Sequence, residues 1–489
     1  MSEQNVNPPL PEWREANIEE VAEVNPSGKA VSVADDTEVT FLPMAAVEEL
    51  TGNIDSSVRK LFGEVKKGYT RFRDGDVLFA KITPSMENGK VAVVRGLRNG
   101  IGCGSTEFHV LRPREGLDAD YLRYFLVQSA FRQDAQRNMR GAVGQLRVPP
   151  AYMREAKIPV APRDQQTEIV AKIDELFSQI DEGERALARV QKLVERYRQS
   201  LLKAAITGEL TRDWRETNAS NGQPPGESGE QLLQRILKAR REAWVNSELE
   251  QMAAKSKQPK NDDWKKKYKL PEYKLSADLP DLPAGWAWST LGQLFDVFVG
   301  GTPSRKEANY WSGYINWVSS GEVAFCRISE TRETITELGL QKSAVRLHPP
   351  GTVLLAMIGE GKTRGQAAIL DITAGHNQNA ASIRVGDTPI PPEYIFWLLK
   401  FRYEAVRAMG QGGNQPALNG GLVKEIPVPL PPVAEAVEIC ERLEVSEAAI
   451  QAASDEVQRV GEKASALRQS VLNAAFSGVL NIATKSVAA

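Results

Sequence analysis

The chain has 489 residues, of which 42% are hydrophobic and 25% charged, with a formal net charge of −2; it has room for two or three domains with real cores. No charged-then-apolar leader stands at Met1 and no apolar run approaches the roughly 18 residues of a membrane span, so a cytoplasmic protein is expected. Cys103, Cys326 and Cys440 are odd in number and far apart, which argues against both a disulfide framework and a zinc site.

From Met1 to Pro162, short apolar runs punctuated by Gly, Pro and Asn predict a β-rich unit (1–162). Asp74 to Ile82 reads as a strand entered from a turn, Gly89 to Val94 as its hairpin partner, and Asp120 to Asn138 carries a helical pattern. Residues 163–210 predict one long helix. Ile173, Ile180, Leu187, Val194 and Leu201 recur as one heptad position, with Ile169, Leu176, Gly183, Val190, Tyr197 and Ala204 as the other, over roughly five heptads. Gly208 is the expected left-handed C-cap. A linker region follows (211–281): Asn218 to Gly229 is rich in Gly, Pro and Ser, Glu230 to Met252 is helix-like, and Lys255 to Lys274 reads as a mobile lysine-rich stretch.

The first pattern then repeats. Residues 282–432 predict a second β-rich unit in which Pro350 to Ile358, Gly365 to Leu370 and Glu393 to Leu399 match the strand, its partner and the helix of the first. Lys157-Ile158-Pro159-Val160 is answered by Glu425-Ile426-Pro427-Val428. A second long helix (433–482) carries Leu443, Ile450, Val457, Ala464 and Val471, with Ile439, Ser446, Ala453, Val460, Leu467 and Ala474, and ends at Gly478; residues 483–489 form a tail. Arg198 to Leu210 and Arg468 to Leu480, offset by 270, are identical at eight of thirteen positions. The fold class expected is therefore α+β: two fold-related β-rich domains joined by two long antiparallel coiled-coil helices, an internal pseudo-two-fold repeat. The small residues Gly183 and Ala453 fall at matching mid-helix points, so the two seams are expected to face each other.

Two local patterns resemble catalytic motifs. Gly359-Glu360-Gly361-Lys362-Thr363 resembles the end of a phosphate-binding loop, but Ala356 stands where that pattern needs glycine and a strand-like stretch follows instead of a helix. Asn7-Pro8-Pro9-Leu10 lacks the aromatic ring that stacks on a flipped base in adenine methyltransferases. His109, His348 and His376 are isolated in sequence and read as ordinary strand or loop residues.

The layout resembles the specificity subunit of Type I restriction-modification systems. The resemblance rests on Leu282-Pro283-Ala284-Gly285-Trp286, Gly300-Gly301-Thr302-Pro303-Ser304, Tyr310-Trp311, Ile315-Asn316-Trp317-Val318, Gln415-Pro416-Ala417-Leu418-Asn419, Ile426 to Pro432 and Leu202 to Leu210. The first domain departs from it, opening with Leu10-Pro11-Glu12-Trp13; the second helix opens with Ala434-Glu435-Ala436 where the first has Gln165-Gln166. The resemblance implies a non-catalytic reader of double-stranded DNA with two target recognition domains. It also implies docking of two methyltransferase subunits and two restriction subunits, with S-adenosylmethionine, ATP and Mg on those partners and no cofactor in this chain.

Base readout needs amides and bidentate donors in loops, flanked by cations and hydroxyls on phosphates. The candidates in the first domain are Lys81, Thr83, Ser85, Asn88 and Lys90 at the hairpin tip, with Arg140, Gln145 and Arg147. In the second they are Lys362, Thr363 and Arg364, then Gln411, Asn414, Gln415 and Asn419, and Thr302, Ser304, Arg305 and Lys306 from the glycine-rich turn. Two other functional classes are compatible with the sequence: a nucleotide-hydrolysing enzyme built on the Gly361 loop, and a coiled-coil organiser without DNA affinity.

Overall fold

The computed structural model describes residues 12–28, 31–142, 144–220, 226–255, 259, 261–269, 271, 279–359, 361–410 and 417–480. They form two compact units, Met1–Val190 with Glu456–Ala489, and Gln191–Asp455. Each long helix is thus divided between the units.

In the first unit, four strands pair in the order Ala22–Val24, Phe108–Pro113, Val77–Ala80, Val91–Val93, all antiparallel. Val77–Ala80 is apolar at every position because both its faces are covered. Side chains alternate between faces along a strand, so Val77 and Phe79 enter one core while Leu78 and Ala80 enter another. A second sheet runs Arg59–Leu61, Glu38–Leu42, Ile101–Gly104, Thr70–Arg73, with its middle pair parallel. Strands Arg14–Asn17 and Lys157–Val160 close the domain. The helix expected from Asp120 to Asn138 is two helices, Ala119–Val127 and Ser129–Arg137, because Gln128 leaves the helical region (φ −55°, ψ 138°).

The second unit keeps this plan with its strands redistributed, five in one sheet and three in the other. One sheet runs Val297–Val299, Ala380–Ile383, Val353–Ala356, Ala367–Leu370, Cys326–Ile328, and the other Glu333–Ile335, Trp311–Val318, Ala374–His376, again with a parallel pair, between the last two strands. Val353 and Leu355 face one core and Leu354 and Ala356 another. Even the buried tyrosines agree: Tyr121 donates to the Pro159 carbonyl at 2.8 Å and Tyr394 to that of Pro429 at 2.6 Å. The stretch after Gly361-Lys362-Thr363 is strand Ala367–Leu370, antiparallel to Val353–Ala356; a loop leading into a strand has no helix N-terminus to offer a phosphate.

The linker region is largely structured. Helix Arg212–Ser220 takes in the start of the stretch expected to be linker. Helix Gly229–Ala254 sinks Leu232, Leu233, Ile236 and Leu237 into the second unit's main core, and Arg240 donates to the Gly292 and Gln293 carbonyls. Part of the lysine-rich stretch also folds back: Trp264 and Tyr268 lie 5.9 and 5.4 Å from Trp244, so the aromatic residues among the lysines anchor it.

The long helices span Arg163–Ile206 and Val433–Phe476. Both are followed by left-handed glycines, Gly208 (φ 75°) and Gly478 (φ 74°), a conformation that costs any other residue its Cβ clearance. Of the seam residues, Ile173, Ile180, Leu201, Leu443, Ile450 and Val471 are buried, while Leu187, Val194 and Val457 are half-buried. Much of this burial comes from the globular cores. Ile169, Ile173, Val471, Leu472, Ala475 and Phe476 belong to the first unit's core, and Leu201, Leu202, Ala205, Ile206, Ile439 and Leu443 to the second's. The repeated thirteen-residue block is therefore the plug that completes a domain core.

In the first unit the two seams face each other, as expected, across a gap. Val190 and Leu467 are 43% and 52% exposed, and a Cβ on Gly183 would meet nothing within 4 Å. An apolar cleft of about 560 Å³ opens there between the helices, lined by Leu176, Ile180, Leu187, Val190, Val460 and Leu467. Gln179, Glu184 and Lys463 add polar groups to its lining, and Glu184 pairs with Arg468 at 2.8 Å. Among the described residues no helix is long and apolar enough to cross a membrane, and no cluster of metal-ligating side chains occurs.

Candidate nucleic-acid interface

In the first domain, the segment from Lys81 to Lys90 is a broad turn with Met86 buried beneath it, so its residues divide into two groups. Asn88 donates to Glu49 at 2.8 Å and Lys90 to the Met44 carbonyl at 3.3 Å, and the Ser85 carbonyl accepts from the Lys90 amide. Asn88 and Lys90 hold the turn to the loop beside it, and the Ser85 carbonyl closes the turn on itself.

Lys81 and Thr83 join the second nominated loop. The Thr83 amide donates to the Leu146 carbonyl at 3.1 Å, the Val148 amide to Lys81 at 2.8 Å, and Arg140 and Arg147 exchange backbone bonds of 2.9 Å. Arg140, at the base of this loop, and Gln145, within it, are exposed. Arg147 grips Glu107 with Nε and Nη2, at 2.8 and 2.9 Å. That contact holds the Glu107 carboxyl below its usual range. Burial pushes the Lys81 ammonium below its usual range, opposed by the charge of Glu107 and assisted by that of Arg147. Lys81 also lines a cleft of about 490 Å³ with Thr70, Lys66, which pairs with Asp35, and Arg71, which donates to the Gly28 and Lys66 carbonyls.

In the second domain, the glycine-rich turn is held by aromatic and amide partners. Arg305 stacks over Trp311 with its guanidinium carbon 3.8 Å from the ring centre and pairs with Glu333. The Ser304 carbonyl accepts from the Trp311 indole at 3.1 Å, and Lys306 is exposed. Thr302 donates to the side-chain oxygen of Gln378. Lys362, Thr363 and Arg364 form a loop fixed through its backbone: Tyr403 donates to the Lys362 carbonyl at 2.5 Å and Arg407 to that of Arg364 at 3.0 Å, while the Thr363 carbonyl accepts from Gln366. Asn419 caps helix Gly420–Lys424 by accepting from the Leu422 amide, so its side-chain oxygen is committed to the fold. Gln411, Asn414 and Gln415 lie outside the described residues, as does Asn7 to Leu10.

Sequence reasoning missed the turns at the centre of both groups, Ser105-Thr106-Glu107 and Asn377-Gln378-Asn379. Their signal was available: both are polar triplets between apolar strands, at matching points of the duplication.

The histidines are also closer than the sequence suggests. His348 and His376 lie with ring centres 5.1 Å apart, buried in the second domain. Desolvation, with the charges of His376, Arg384 and Arg346, pushes His348 down to about 3, and desolvation pushes His376 to about 4 against its bond to the Asn377 carbonyl. His109 is likewise brought to about 4 by desolvation, opposed by its bond to the Val148 carbonyl. All three are neutral in the fold, so the unfolded chain protonates first as pH falls. Their stabilisation is complete above about pH 6.5 and is lost on descent towards pH 4, by roughly 1–2 kcal/mol per histidine between pH 7 and pH 5. Urea midpoints measured at those two pH values should fall accordingly, and His348→Gln should flatten the decline in the second unit.

A family model described as the Type I restriction modification DNA specificity domain matches residues 11–191 and 283–458. Among curated proteins, the chain is 30% identical to the Type I restriction enzyme EcoAI specificity subunit of Escherichia coli over 62% of this chain and 56% of that protein. It is 26% identical to the EcoEI specificity subunit of the same organism over 89% and 78%. The chain thus spans little more than half the length of the first of these relatives. Among solved structures, it is similar to a chain from work on complex assembly and conformational transition of the type I R-M system, at TM-score 0.69 and 19% identity, covering 97% of this chain and 100% of that one. It is also similar to the HsdS subunit from Thermoanaerobacter tengcongensis, at TM-score 0.57 and 20% identity over 96% and 98%. With a family model covering most of both repeats, the chain belongs to the Type I restriction-modification DNA specificity family.

Proposed function

We propose that this chain reads the sequence of double-stranded DNA for a Type I restriction-modification complex, each recognition domain taking one half of an asymmetric bipartite target. The observation that carries this reading is the duplication of one loop scaffold on two domains with different side chains. A scaffold built twice keeps a shared task, and different polar groups on it give unlike half-sites. Lys81 and its neighbours supply the sequence-independent phosphate contacts that set affinity and register.

The long helices set the gap between half-sites and dock two methyltransferase subunits, and two restriction subunits join for cleavage. The open cleft between the helices in the first unit supports the methyltransferase contact, since it leaves Val190 and Leu467 exposed, and apolar surface of this kind is normally covered by a partner. In this reading the chain acts in the cytoplasm and holds no cofactor itself; S-adenosylmethionine, ATP and Mg act on the partner subunits.

The test is to co-express the chain with its methyltransferase and map methylated adenines genome-wide. One split motif with a fixed gap, methylated once on each strand, is expected. A soluble complex that methylates no motif would point instead to a structural organiser. In binding assays with the same complex, Lys81→Ala should lower affinity for all sequences alike and reduce the slope of log affinity against log salt by about 1.

A further inference from the structure

The two turns that sequence reasoning missed are built alike, bond for bond. Ser105 donates its amide to the Leu42 carbonyl at 3.1 Å, and Asn377 to that of Val318 at 3.0 Å. The Ser105 hydroxyl accepts the Glu107 amide at 3.2 Å, and the Asn377 side-chain oxygen accepts the Asn379 amide at 3.1 Å. Phe108 closes the first turn on the Ser105 carbonyl and Ala380 closes the second on that of Asn377, both at 3.3 Å. The third residue of each turn then receives the nominated loops. Lys81 donates to the Glu107 carbonyl at 2.9 Å and Met357 to that of Asn379 at 2.8 Å; Val148 in turn donates to Lys81 and Leu418 to Met357, at 2.8 and 3.0 Å.

What differs is the side chains. The central residue of each turn is exposed, Thr106 in one domain and Gln378 in the other. In the first domain Glu107 locks Arg147, taking two of its five donors, while the Gln145 carbonyl takes a third at 3.1 Å. Two donors remain on a guanidinium held by a carboxylate. In the second domain the Gln378 oxygen is steered by Thr302, a pre-oriented carboxamide on an exposed turn. A fixed guanidinium matches the two acceptors on the major-groove edge of guanine, and a carboxamide the donor–acceptor pair of adenine.

We propose that these turns are the specificity-determining elements of the two domains: Gln378 reads an adenine in one half-site, and Glu107 positions Arg147 to read a guanine in the other. This assignment rests on the DNA-reading function above. A backbone held constant while its exposed side chains change is what permits different half-sites to be read without altering the fold.

The experiment uses the full chain in complex with its methyltransferase, and duplexes carrying each single base-pair change in the mapped motif, in competition binding. For the unaltered chain, each change at a position read by these residues should weaken binding by about tenfold or more. In Gln378→Ala that penalty should collapse to about twofold or less at one position of one half-site, and in Glu107→Gln at one position of the other, all other penalties standing. Because each penalty is a ratio within one variant, a general loss of affinity does not mimic this result. Penalties unchanged in both variants, or a collapse spread over both half-sites, would overturn the assignment. An unaltered complex with no sequence preference would overturn the DNA-reading function, and the assignment with it.

Discussion

Replacing Arg215 by alanine is expected to destabilise the second unit by about 3–5 kcal/mol, read as a shift of its urea unfolding midpoint. The reason is Glu435, whose side chain is fully buried at the start of the second long helix. Its carboxylate accepts from Thr211 at 2.7 Å and from the Trp286 indole at 2.8 Å, and Arg215 supplies the opposing charge. Without Arg215 a buried carboxylate would be left with neutral donors alone, and desolvating it would no longer be compensated. The equivalent position in the first unit sharpens the expectation. There Trp13 donates to the neutral Gln165 at 2.9 Å, so Gln165→Ala should cost only about 1 kcal/mol. Replacing both charges at once, as Arg215→Met with Glu435→Leu, should recover most of the loss. A loss below about 1 kcal/mol for Arg215→Ala would show that water reaches the carboxylate.

Phe476→Ala should destabilise the first unit by about 3–5 kcal/mol, although this residue closes the second long helix. Its ring sits 4.8 Å from that of Tyr121 and 5.6 Å from that of Phe125, and truncation would leave a cavity in a core that also holds Leu472 and Ala475. Limited proteolysis should then cut the first domain faster, with the second domain's fragments persisting as before. Ile206→Ala should produce the mirror effect in the second unit, by about 2–5 kcal/mol, because Ile206 occupies the corresponding place in that core. If both substitutions left their units unchanged, the repeated block would not be a core plug.

The departure at the start of the second long helix marks how far a local pattern extends. Glu435 in place of glutamine looked like a local deviation in sequence. In the fold it is the acceptor for a tryptophan, as Gln165 is, with a charge added and Arg215 recruited to balance it. The linker region shows the same limit: Arg215 lies in a helix read partly as linker, because its partner is more than 200 residues away and no local signal announces the pair.

By itself, the sequence determined the features that local periodicity and repetition encode. These were two fold-related β-rich units, two long helices stopped by glycine, and the family, because heptads, buried strand runs and left-handed glycines each carry a short-range physical signature. Only the tertiary structure decided where the helix seams are buried, that the helix ends complete domain cores, that His348 stacks on His376, and that the nominated loops converge on the turns at Glu107 and Asn379. Those outcomes depend on which distant backbone groups meet. A hydrogen bond between a loop carbonyl and a strand amide leaves no trace in the order of side chains, nor do the bonds by which the exposed Asn88 and Asn419 brace the loops they stand in.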